Sequence, residues 1–130
     1  MIEVTLNEVR QAILKLVNES TFYNELRYQS MEQAVETLAS EKCTRINDFA
    51  ELDQETIDEQ SENYDGYLDG AKPGDIVWGD NEMWVSQLTV ESWHDQSSDR
   101  LTGENEDIED IADFVENDLI LSTLREHNEK

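Results

Sequence analysis

The sequence predicts an α+β domain, mainly helical, with one small antiparallel β-hairpin or sheet. Three observations carry this expectation. Apolar residues recur at three- and four-residue steps near both ends of the chain, the spacing of helices that bury one stripe. Between residues 75 and 93 that spacing gives way to two short β-prone runs separated by turn residues. A length of 130 residues with three Trp, four Tyr and three Phe is enough to bury a core without metal or disulfide support, although only 37% of the chain is apolar. High charge with low hydrophobicity is also the signature of disorder, but disordered acidic chains are poor in aromatics.

The elements follow in order. Leu6, Val9, Ile13, Leu16 and Val17 give a first helix one apolar face. Phe22, Tyr23 and Leu26 suggest a short helical turn on the same core. A second helix is expected to begin at Ser30, capped by that side chain with Gln33 three residues on, and to bury Met31, Ala34, Val35 and Leu38. Asp53 reads as the cap of a third helix, with Glu55 in the first turn where the macrodipole favours acids. Ile57, Tyr64 and Leu68 mark its inner face, and Gly70 and Pro73 its stop. Ile76-Val77-Trp78 and Met83-Trp84-Val85 form the hairpin around Gly79-Asp80-Asn81, with Trp78 and Trp84 as cross-strand neighbours. Leu88-Thr89-Val90 reads either as a third strand or as the start of a helix, and Ser97-Ser98-Asp99 as a loop. A long helix from about 105 to 126 carries Ile108, Ile111, Ala112, Val115 and Leu119 on one face, widened by Phe114, Leu121 and Leu124. Its acids lead and Arg125, His127 and Lys130 close, as the helix dipole favours.

Charge is unevenly distributed. Residues 1–45 carry seven acids and five bases, whereas residues 46–130 carry 25 acids and four bases, so nearly all of the net −23 lies in the second part. The chain reads as a single domain, 1–130, with a near-neutral helical base (1–45) and a strongly acidic part (46–130). Crowded like charge costs stability through self-repulsion and creates a strong negative field. A positively charged partner is the natural complement; nucleic acid and anionic lipid would be repelled. Met1-Ile2-Glu3-Val4 is not a basic start before an apolar core, and no apolar run approaches the roughly 20 residues that span a bilayer. A soluble cytoplasmic protein is expected.

On the outer side of the third helix, Glu51, Glu55, Asp58, Glu62, Asp65 and Asp69 follow at steps of four, three, four, three and four. If the helix extends that far, six carboxylates fall in one line. Nine acids between Asp48 and Asp69 correspond to about one charge per 3.5 Å at helical rise. One strand of B-DNA carries a charge every ~3.4 Å along its axis. An ordinary exposed helix face mixes Lys with Glu to gain pairs worth ~0.3 kcal/mol each, whereas this one repeats like charges. Glu106, Glu109, Asp113 and Glu116 line a second acidic face on the last helix.

Other chemistries find less support. The nearest calcium-loop frame, Ser61, Asn63, Asp65, Gly66, Tyr67 and Asp69, has Lys72 at the twelfth position, where a bidentate Glu belongs. No metal or cofactor is expected. His94-Asp95 near Ser97 and Ser98 has the residue types of a catalytic triad, but adjacency in sequence is not triad geometry. Cys43, the one cysteine, has no convincing histidine partner, and there is no glycine-rich phosphate loop. The chain is not expected to be an enzyme. Trp78, Trp84 and Trp93 read as core, with the alternative that one anchors a partner among Asp75, Asp80 and Glu82.

In charge and size, though in no motif, the chain resembles the DNA-mimic inhibitors made by phages and mobile elements, among them antirestriction proteins, anti-CRISPR proteins and uracil-DNA glycosylase inhibitors. That resemblance implies host-defence evasion by occupying the nucleic-acid site of a basic DNA- or RNA-binding protein. The alternative is an immunity or antitoxin protein that neutralises a basic nuclease toxin. Acids spread over two helices favour the mimic, and a compact acidic patch near the tryptophans favours immunity. Halophilic solvation is a third reading, set against the near-neutral first 45 residues.

Overall fold

In a computed structural model, which describes residues 2–19, 28–64, 66–101 and 108–129 with the side chains of 28–31 outside that description, the first apolar stripe forms α1 (Leu6–Glu19). Val9, Ile13 and Val17 are buried on it. The second helix, α2, spans Tyr28–Ile46. It starts before Ser30, which therefore lies in the first turn and is not its cap. Phe22, Tyr23 and Leu26 lie outside the described residues. A three-residue strand, β1 (Phe49–Glu51), comes next, then α3 (Gln54–Asn63), β2 (Ile76–Asp80), β3 (Met83–Val85), α4 (Gln87–Asp99) and α5 (Ile108–Asn128). This is the mainly helical α+β arrangement expected, with five helices and three strands among the described residues. None of those helices is long and apolar enough to cross a membrane.

The core lies between α1, α2, α4, α5 and one face of the sheet. Val9, Ile13, Val35, Ala39, Ile111, Val115, Ile120 and Leu124 from the helices meet Trp78 and Val85 from the strands. The sheet is antiparallel with order β1-β2-β3. Its register sets Phe49 opposite Trp78, and Trp78 opposite Val85. Because side chains alternate across a strand, Trp78 and Trp84 point to opposite faces and are not the expected neighbours. Trp84 faces Gly79 instead, where a Cβ would crowd its ring at 3.2 Å. The hairpin turns on Asn81-Glu82, with Asn81 at φ 59, so Gly79 and Asp80 belong to the strand. Asn is among the few residues that tolerate this left-handed conformation.

Of the two readings of Leu88-Thr89-Val90 the helical one holds: it opens α4, capped by Ser86. Ser97-Ser98-Asp99, expected as a loop, continues that helix. The third strand is β1, just before the Asp53 cap, where the line of carboxylates would need the third helix to extend back to Glu51. The third helix ends at Asn63, well before Gly70, and Tyr64 closes it by donating its N–H to the Gln60 carbonyl at 2.7 Å. The chain beyond it is held by tertiary bonds. Ser86 donates its N–H to the Tyr67 carbonyl and its hydroxyl to the Asp69 carbonyl, both at 2.8 Å, and Gly66 and Gly70 supply positive φ.

Side-chain amides finish what the strands leave open. The Gln60 amide donates to the Trp84 carbonyl at 2.6 Å and accepts the Trp84 N–H at 2.5 Å. Asn128 does the same for Ile76, at 3.0 and 2.6 Å, and Asn47 for Val4, at 2.8 and 2.7 Å. Each amide presents one donor and one acceptor, as a neighbouring strand would.

Candidate functional site

The acidic surface is built on α3. Asp53 caps it, accepting the Thr56 N–H at 2.7 Å, and the hydrogen bonds from Thr56 hold this carboxyl below the usual carboxylate range. Gln60 is the buried residue of the helix and ties it to β3. With Gln60 turned inward, Glu55, Asp58, Glu59 and Glu62 are exposed. Four acids on ten helical residues make about one charge per 3.8 Å of axis. The helix contains no base, and among the described residues none of these four forms an ion pair. Asp58 accepts a hydrogen bond from Gln54 at 3.0 Å, a neutral partner that leaves its charge in place.

The proposed single line of six carboxylates is broken by the fold. Glu55, Asp58 and Glu62 share α3, Glu51 projects from β1, and Asp69 is exposed in the turn after the helix. Asp65 lies outside the described residues. The physical reason is the short strand before Gln54 and the tertiary bonding of the chain after Tyr64.

The second acidic face is largely spent internally. Lys42 places its Nζ 2.7 Å from Asp113 and 3.1 Å from Glu116. Arg45 lies 3.1 Å from Glu116 and 3.2 Å from Asp80. Glu116 is 5% exposed, so it is a core counter-charge and does not face a partner. Burial pulls the Lys42 ammonium towards lower pKa, but its bond to Asp113 and the charge of Glu116 outweigh this and leave it above the ordinary 10.5. Glu109 is exposed near the start of α5, and Glu106 lies outside the described residues. Arg10 pairs with Glu36 at 2.6 Å and Arg125 with Glu91 at 3.4 Å. The described ion pairs thus draw on bases of α1, α2 and α5 and leave the acids of α3 uncompensated.

The remaining candidates are held by structure. Trp78 is buried and donates its Nε1–H to the Arg45 carbonyl at 3.1 Å. Trp93 packs edge-on against Trp78, and Trp84 is half-buried. His94 sits 3.0 Å from Asp118 and against the Phe114 ring, while the Ser97 hydroxyl donates to the Trp93 carbonyl and accepts from Asn117. These partners draw His94 and Ser97 into separate bonds. Cys43 is half-buried and lies 3.6 Å from the Val4 carbonyl. Among the described residues, no group of three or more His, Cys, Asp and Glu is placed to hold a metal ion.

The residue that positions the acidic helix, Gln60, was not singled out by sequence. The signal was present: Gln60 stands three residues after Ile57 and four before Tyr64, on the inner stripe where an apolar residue is expected. A polar side chain there implies a buried partner.

Fold and surface together define a small α+β domain that presents a base-free acidic helix beside the edge of a three-stranded sheet. No protein-family model, curated protein or solved structure matches this chain.

Proposed function

We propose that this protein is a cytoplasmic, non-enzymatic DNA mimic that occupies the nucleic-acid-binding site of a basic DNA- or RNA-binding protein. The observation that supports it is the uncompensated charge on α3, close in linear density to one strand of B-DNA. Carboxylates on a capped, tethered helix satisfy the Lys and Arg that otherwise hold phosphates, and offer no backbone to cleave. Such a surface also speeds encounter, since steered association of opposite charges approaches ~10⁸ M⁻¹s⁻¹ at low salt. Host-defence evasion is the biological role that fits an inhibitor of this kind.

One observation favours the immunity or antitoxin reading. Withdrawal of Asp113 and Glu116 into ion pairs concentrates free acid on one short helix, which Gln60 ties to Trp84. Competition separates the two readings. With a basic protein captured from host lysate, duplex DNA should displace a mimic completely and reversibly. Simultaneous binding of DNA and this chain to the captured protein favours the immunity reading. Retardation of duplex DNA by the isolated chain at moderate salt removes the mimic.

A further inference from the structure

In the β1–β2 ladder, the Gly79 N–H bonds the Asp48 carbonyl and the Leu52 N–H bonds the Asp75 carbonyl, both at 2.7 Å. These two bonds fix the alternation: residues 48, 50 and 52 turn their polar groups to β2, so Phe49 and Glu51 turn theirs away from it. The same alternation turns Ile76 away from β1 and Trp84 away from β2, and there the Asn128 and Gln60 amides take up both groups. Among the described residues, no partner takes up the N–H and C=O of Phe49 and Glu51. Sheets normally protect such edges, because a row of free N–H and C=O groups is a template for another strand. The β3 edge at Trp84 and the unpaired end of β2 at Ile76 are blocked by side chains, and the outer edge of β1 is open.

The open edge borders a cleft of about 560 Å³. Ile2, Phe49 and Ile76 give it apolar walls, and Glu3 and Glu51 add charge. We propose that the outer edge of β1 accepts an extended, Lys- or Arg-bearing segment of a partner protein as a fourth strand. Main-chain hydrogen bonds to Phe49 and Glu51 supply the pairing, alternate apolar side chains enter the cleft on the Phe49 and Ile76 face, and the basic side chains between them fall on the opposite face, where the exposed Asp48 lies. Charge decides against a second copy as the occupant, because each protomer would bring its own Glu51 and a net −23 to the seam. The inference goes beyond the mimic reading, for the segment need not come from a nucleic-acid-binding protein.

The test uses the full chain and two synthetic peptides of alternating Lys and Val. They carry the same charge, and one is N-methylated at every residue whose N–H would face β1. The unmodified peptide should slow hydrogen exchange at the Phe49 and Glu51 amides. The methylated one should bind about tenfold more weakly, the loss of roughly two net hydrogen bonds. Glu51→Pro removes one outward N–H and leaves the inner ladder intact, so it should weaken the unmodified peptide while Glu51→Gln keeps the exchange protection. Should Glu51→Pro fail to fold, the peptide comparison on the wild-type chain decides alone. Equal affinity for the two peptides, no binding of either, or unprotected Phe49 and Glu51 amides in the complex would overturn the proposal. Self-association that protects the same amides would overturn it in favour of a second copy.

Discussion

Gln60 and Glu116 are two buried polar residues that do opposite work. Gln60 presents both halves of its amide to the backbone of Trp84, so truncation would strand a donor and an acceptor at once. Gln60→Ala should cost about 2 kcal/mol, the usual range for buried groups left unsatisfied, and lower the urea midpoint with little change in slope. Glu116 balances Lys42 and Arg45. Glu116→Ala should cost about 3 kcal/mol, the low end for breaking a buried pair, because Asp113 and Asp80 remain as partners. The Lys42 pKa is raised in the folded state, so its stabilisation is complete below the ordinary 10.5 and is lost as pH rises through the higher folded value. Urea titrations from pH 10.5 upward, as far as the raised folded value, should show a steeper loss of stability in the wild-type chain than in Lys42→Met. Equal slopes would mean that the ammonium contributes nothing to the fold.

At the scale of elements, α3 stands apart from the helical layer. None of its residues joins the main core cluster, and Gln60 is its principal tie to the sheet. Its acids repeat at three- and four-residue steps, where like charges destabilise a helix by ~0.2–0.5 kcal/mol a pair. The triple variant Glu55→Gln, Glu59→Gln and Glu62→Gln should therefore melt higher than the wild type, a direction that thermal unfolding by circular dichroism reads directly. The longest apolar stripes were legible in the sequence because burial imposes them: Val9, Ile13 and Val17 on α1, and Ile111, Val115 and Leu124 on α5. The hairpin was legible because Asn81 follows one β-prone run and precedes another. β1 was not, since three residues are too few for alternation to stand out from a helical reading. The end of α3 was not legible either, because the bonds from Ser86 and Thr89 that hold the following turn come from a later helix. Nor could spacing reveal that Lys42 pairs with Glu116, 74 positions away.

For the whole molecule, the fold divides its charge into a compensated part and an uncompensated part. Lys42 and Arg45 neutralise acids between α2, α5 and the sheet, and α3 keeps its full negative charge. Screening should relieve the excess, since the Debye length falls from ~30 Å at 0.01 M to ~8 Å at 0.15 M salt. The melting temperature should accordingly rise with NaCl over that range. A flat or falling curve would mean that the free carboxylates are already neutralised. If α3 delivers this charge to a basic partner, the kinetics of association should carry its signature. The rate of binding to the captured partner should be measured across a salt gradient for the wild-type chain and for the triple Gln variant. The variant should associate more slowly and with a shallower salt dependence, with its fold intact. An unchanged rate and an unchanged salt slope would contradict this, and would leave α3 an ordinary solvated face.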